Sequence, residues 1–165
     1  TRAGWAVEAE DPVVLVGPSI EAARAGAELL RAAGIWNLVG LVVADPPAWR
    51  GAGMDVRSAD ALAPERVVVR LEAHELTLID VRDPAEWSDG HVERSRSLPL
   101  SELGDGRNGA GLVLEAPIAV VCASGARAAV AASILRGRGH DPVWRVSGGI
   151  EALAGAGAPM VRTQP

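Results

Sequence analysis

The chain has 165 residues, 48% of them hydrophobic and 22% charged, with a net charge of −5. That balance fits one globular domain, or one domain and part of another, and argues against nucleic acid and anionic membranes as partners. No apolar run approaches the ~20 residues of a membrane span. A single cysteine excludes an internal disulfide and suits a reducing compartment, so a cytoplasmic location is expected.

Residues 13–56 read as a buried strand, a helix ended by Gly34, a second strand, and a short helix before Gly51-Ala52-Gly53. Ser19 has the position of a helix N-cap, with Glu21 in the first turn. Residues 57–66 are polar with one proline and read as a linker. Val67-Val68-Val69 reads as a short strand and Leu76 to Val81 as a buried one. Asp83-Pro84-Ala85-Glu86 then opens a helix, with Asp83 as N-cap, proline at the first helical position and Glu86 returning the capping bond. Gly104 to Gly111 is glycine-rich but lacks the Lys-Ser/Thr ending of a phosphate cradle, so it reads as a surface loop. Ile118 to Val121 is an apolar strand, and Ala128 to Arg136 a helical run. Trp87 and Trp144 are assigned to the core.

Residues 13–56 also superimpose on 118–161. At an offset of 105, Val16 falls on Val121, Ser19 on Ser124, Leu30-Arg31 on Leu135-Arg136, and Gly34 on Gly139. After one residue of slippage, Gly51-Ala52-Gly53 meets Gly155-Ala156-Gly157. Strands alternating with helices imply an α/β fold with a parallel sheet covered on both faces. The domains expected are a partial repeat over 1–56, a linker over 57–66 and a complete domain over 67–165. Two parallel strands and two helices cannot cover both faces of a sheet. The first piece is therefore expected to pack on the complete domain, on a second copy, or on an upstream segment.

Cys122, the lone cysteine, lies between a strand end and a helix start in Cys122-Ala123-Ser124-Gly125-Ala126-Arg127. Unpaired N–H groups and the positive end of the helix dipole there favour thiolate. Arg127 adds a fixed positive charge. The arrangement suits a nucleophile that holds an anionic adduct, although a cysteine after Val-Val also reads as a small buried hydrophobe. Asp80 and Arg82 alternate at a strand end and read as a structural ion pair, and His91 as a structural histidine. His74, His91 and His140 lack ligand spacing, so no metal and no cofactor is expected.

Four stretches carry a family resemblance: Leu78-Ile79-Asp80-Val81-Arg82-Asp83-Pro84-Ala85-Glu86-Trp87, Gly90-His91-Val92, the Cys122 loop, and Ser147-Gly148-Gly149-Ile150. In that order and spacing, residues 67–161 resemble a rhodanese domain. The resemblance implies sulfur transfer from a donor such as thiosulfate or a persulfide to a thiol or cyanide, through a persulfide on Cys122. Loop N–H groups from Ala123 to Arg127 would surround the outer sulfur, Arg127 would neutralise the donor's anionic end, and Ser124 would offer a hydroxyl. The first part resembles the back half of a second, inactive rhodanese repeat, with Gly17 in place of Cys122 and Ala22 in place of Arg127. Its Gly4-Trp5 opening is similar to fusions carrying an upstream metallo-β-lactamase-fold domain.

Three departures from the family stand out: Val92-Glu93-Arg94-Ser95 after the histidine, Ala123 at a loop position often held by arginine, and Leu153 where tryptophan is usual. Ala123 removes an anion contact, so a preference away from thiosulfate is expected. Two alternatives stay open. One is a noncatalytic interaction module. The other is a cysteine phosphatase or arsenate reductase, in which histidine precedes the cysteine and five residues separate it from arginine; here Val121 precedes Cys122 and the spacing is four.

Overall fold

A computed structural model describes residues 7, 10–56, 60–104 and 117–162. The chain divides into two compact units, Thr1–Ser58 and Ala59–Pro165. Gly4-Trp5 and nearly all of the glycine-rich stretch after Gly104 lie outside the described residues.

The first unit runs β1 (Val13–Gly17), α1 (Ile20–Ala32), β2 (Leu38–Val43) and α2 (Pro46–Gly51), with β1 and β2 parallel. Ser19 caps α1 by accepting from the Ala22 N–H at 3.2 Å, and Asp45 caps α2 by accepting from Ala48. α1 packs on both strands. Leu15 lies under Gly26, where a Cβ would meet the leucine Cδ2 at 2.8 Å. Val14 and Val16, which alternate with Leu15, are 51% and 49% exposed.

The second unit contains β3 (Ala61–Leu62), α3 (Pro64–Glu72), β4 (Thr77–Asp80), α4 (Pro84–Asp89), β5 (His91–Val92), β6 (Arg96–Ser97), α5 (Leu100–Gly104), β7 (Ile118–Val121), α6 (Ala126–Gly137), β8 (Val143–Val146), α7 (Gly149–Gly155) and β9 (Met160–Val161). Its five-stranded sheet has the order β3-β8-β7-β4-β6, parallel throughout. β5 and β9 form a small antiparallel pair. Leu78, Ala119, Val121 and Val146 point to one face and pack with Val67 and Leu71 of α3 and with Ile150 and Leu153 of α7. The alternate residues of those strands face the other side, where α6 packs on β7 and β8 and α5 packs on α6. This is a mixed α/β fold with a central parallel sheet flanked by helices. Leu153, the departure from tryptophan, is fully buried in this core.

Three sequence expectations need correction. Val67-Val68-Val69 is the middle of α3 and not a strand. Val67 and Leu71 are buried at i and i+4, while Val69 is 64% exposed. A run of β-branched residues suggested a strand, but the helical spacing of what can be buried decides, and Pro64 with Glu65 opens that helix. The expected linker is likewise too long, because Ala61–Leu62 pairs with Arg145–Val146 at the sheet edge. Finally, Trp87 and Trp144 are only half-buried, Trp144 packing against the edge of the core. Trp87 stacks on His91, with ring centroids 3.7 Å apart. Trp144 lies under the Arg70 guanidinium at 4.9 Å.

Candidate active site

β7 lies between β8 and β4, so the chain leaving it at Cys122 emerges at the carboxyl edge of a parallel sheet, flanked by the strand ends on either side. In open α/β sheets this edge is where ligands bind, because the strands end there and helix N-termini begin. Val120 faces the α6 side, and the alternation carries the Cys122 side chain to the same side.

The loop is short and its shape is set by glycine. Gly125 has φ +95°, a conformation that side chains disfavour, and α6 starts at the next residue. The helix therefore begins two residues earlier than the apolar run suggests. The Gly125 N–H donates to the Cys122 Sγ at 3.0 Å and the Ala128 N–H at 3.4 Å. Two amides aimed at one sulfur stabilise negative charge on it. Cys122 is 1% exposed, whereas Ala123, Ser124 and Ala126 form an exposed rim around it. Behind the loop, the Ile150 N–H donates to the Cys122 carbonyl at 3.0 Å. Gly149 (φ +72°) presses so closely there that a Cβ would meet that carbonyl oxygen at 2.7 Å.

Arg127 is held in place by acidic partners from the neighbouring helix. It is only 5% exposed and pairs with both carboxylate oxygens of Glu86, at 2.5 and 2.8 Å, and more distantly with Asp83 at 3.4 Å. The Glu86 hydrogen bonds hold the guanidinium pKa above its ordinary value against the opposing effect of burial. In return, Arg127 holds the Glu86 carboxyl down at about 2, aided by the Asp83 N–H that donates to it at 3.1 Å. Arg127 thus braces the loop, and its charge also attracts that of the Cys122 sulfur.

The remaining residues form a second brace. Asp80 is bound twice over by the Arg82 guanidinium, at 2.7–3.0 Å, and also accepts the Arg82 backbone N–H. Arg82 reaches on to the Gly90 carbonyl at 2.7 Å. His91 is buried, stacked on Trp87, with Nδ1 3.0 Å from the Trp87 carbonyl oxygen. Among the described residues, the hydrogen bonds to the Cys122 sulfur come from the Gly125 and Ala128 amides and from none of these side chains. Among the described residues no three His, Cys, Asp or Glu side chains converge to hold a metal, and no helix is long and apolar enough to cross a membrane.

Sequence reasoning missed Ala128, whose contribution is a backbone amide that any residue would supply. It also missed Glu86 as the partner of Arg127. Glu86 was legible only as a capping residue, and its second role depends on α4 and α6 meeting in space.

The rhodanese-like domain family matches the chain over residues 63–156. The thiosulfate sulfurtransferase GlpE of Pseudomonas putida is 32% identical over 90 residues, covering 54% of this chain and 80% of that protein. The uncharacterized protein YqhL of Bacillus subtilis is 33% identical over 78 residues, 47% of this chain, and the match spans 60% of that protein's length. Among solved structures, a rhodanese-related protein from Thermoplasma volcanium superimposes with a TM-score of 0.56 at 29% identity, over 63% of this chain and 99% of that one.

Proposed function

The chain belongs to the rhodanese-like domain family, and on that premise we propose that its second unit is a sulfurtransferase working through a persulfide on Cys122. The observation that carries this reading is the pair of N–H groups, from Gly125 and Ala128, converging on the Cys122 sulfur. The thiolate attacks the outer sulfur of thiosulfate or a persulfide. A new S–S bond forms as the donor's S–S bond breaks, and its electron pair leaves with sulfite or a thiolate. The negative charge then rests on the outer sulfur of Cys122. An acceptor thiolate or cyanide takes that sulfur, leaving as a persulfide or thiocyanate and restoring the Cys122 thiolate. No proton moves in either displacement, so no histidine base is required. The loop amides lower the barrier by being fixed before charge shifts onto the new sulfur.

The first unit fits an inactive repeat. Gly17, at the position matching Cys122, is buried, and a Cβ there would meet the Ala23 nitrogen at 2.8 Å and the Ser19 carbonyl oxygen at 3.1 Å. No side chain, and so no nucleophile, can be placed at that position without opening the turn.

Intact mass after incubation with thiosulfate or glutathione persulfide tests the proposal. The expected result is a gain of one sulfur, removed by cyanide or reductant and absent in Cys122→Ser. No gain from either donor would refute it and leave the unit a noncatalytic interaction module.

A further inference from the structure

We propose that Arg145, on the strand beside the cysteine loop, is the residue that recognises the anionic leaving group of the sulfur donor. The inference rests on Cys122 being the sulfur carrier and names the side chain that would select thiosulfate among the donors proposed for that site.

Charge makes such a residue necessary. A doubly charged thiosulfate must approach a thiolate, and backbone amides alone offer only partial positive charge to offset the repulsion. Three arginines lie on the segments around the loop. Arg82 is consumed by Asp80 and the Gly90 carbonyl, and Arg127 by Glu86 and Asp83. Arg145 alone of the three has no ion pair or side-chain hydrogen bond among the described residues, and it is half-buried. A cation left unmatched beside an anion site is the one available to a ligand.

Position supports the same assignment. Arg145 pairs in register with Val120, two residues before Cys122. Val146 and Trp144 belong to the α3–α7 side of the sheet, so alternation puts Arg145 on the α6 side, the side that Cys122 faces. Its Nη1 comes within 4.0 Å of where a Cβ on Gly125 would stand, and the Gly125 amide is the donor 3.0 Å from Sγ. Standard backbone dimensions then bound the Nη1-to-Sγ distance at ~9.5 Å. In a near-attack pose the sulfonate oxygens of thiosulfate lie ~5–6 Å from Sγ, within reach of a small swing of the long side chain. Ala123 removes a cation from the loop itself, and Arg145 supplies one from the neighbouring strand. This reverses the donor preference that Ala123 alone suggests.

The test compares wild type, Arg145→Met and Arg145→Lys in persulfide formation on Cys122. One donor is thiosulfate; the other is the persulfide of 2-mercaptoethanol, whose leaving group carries no sulfonate. Arg145→Met is expected to raise KM for thiosulfate ~10–100-fold, the range of a lost charged hydrogen bond. Because the interaction is made before and during the displacement alike, kcat should change little. The 2-mercaptoethanol persulfide should load the variant as it loads wild type, and Arg145→Lys should recover part of the thiosulfate KM. Added salt should weaken thiosulfate loading of wild type more than of Arg145→Met. Unchanged thiosulfate kinetics in Arg145→Met, or equal losses with both donors, would overturn the proposal. Failure of wild type to load from either donor would instead overturn the sulfur-carrier reading, and this one with it.

Discussion

Arg127 and Glu86, 41 residues apart in sequence, meet through two hydrogen bonds of 2.5 and 2.8 Å, so that the first turn of α6 is tied to the first turn of α4. The same Glu86 carboxylate accepts the Asp83 N–H and so completes the cap of its own helix. One acidic side chain thus sets both the start of α4 and the attitude of the residue that ends the cysteine loop. The buried cation beside the loop is thus part of the frame that holds the loop in place.

Replacing Glu86 with glutamine should therefore destabilise the unit. Loss of one partner from a buried ion pair costs ~3–5 kcal/mol. Here Glu86 is 36% exposed and Asp83 remains as a second partner, so the expected loss is about 1–2 kcal/mol after allowance for solvent screening. Urea unfolding checks it, as a lower midpoint with an unchanged slope.

The same pair sets a pH dependence. Glu86 titrates at about 2 when folded, against an ordinary 4.5. A carboxylate depressed by folding contributes stability that is fully present above 4.5 and lost as the pH falls through about 2. Urea midpoints should fall between pH 4.5 and 2 in wild type, and fall less steeply in Glu86→Gln. Parallel curves for the two proteins would show that the pair contributes nothing in that window.

Much of this site was legible because it is local. An apolar run, a cysteine, two small residues, a glycine and a helical run define the strand, loop and helix without reference to anything distant. The Asp83–Glu86 cap and the Asp80–Arg82 pair were readable for the same reason. What escaped depends on packing. Arg127 looks free until α4 is laid beside α6, and Arg145 looks like an ordinary strand residue until β8 is placed next to β7. Val67 to Val69 failed differently, since β-branched residues argued for a strand and only the burial of positions 67 and 71 reveals the helix.

That error has a direct test in stability. Val67 is fully buried in α3, and Val69, two residues on, is 64% exposed. Val67→Ala should cost about 2 kcal/mol by leaving a cavity between α3 and the sheet, while Val69→Ala should stay within about 0.5 kcal/mol. On a strand lying over the core, positions 67 and 69 would share a face and respond alike. Similar losses in the two variants by thermal or urea unfolding would therefore contradict the helix.

Gly125 carries the sharpest consequence for chemistry. Its φ of +95° costs an alanine about 1–2 kcal/mol. Space is no obstacle, since the nearest atom to an added Cβ is the Arg145 Nη1 at 4.0 Å. The strain is relieved only by rotating the backbone, and the group that rotates is the N–H donating to Cys122. Gly125→Ala should thus lose stability and also form the persulfide more slowly, by ~10-fold or more, given what a single preorganised donor is worth. Gly139 provides the control. It has φ +91°, nothing within 4 Å of its missing Cβ, and a position after the far end of α6. Gly139→Ala should suffer a comparable loss of stability and keep the wild-type rate of persulfide formation. If both variants slow that step equally, the defect is a general loosening of α6 and not the displacement of one amide.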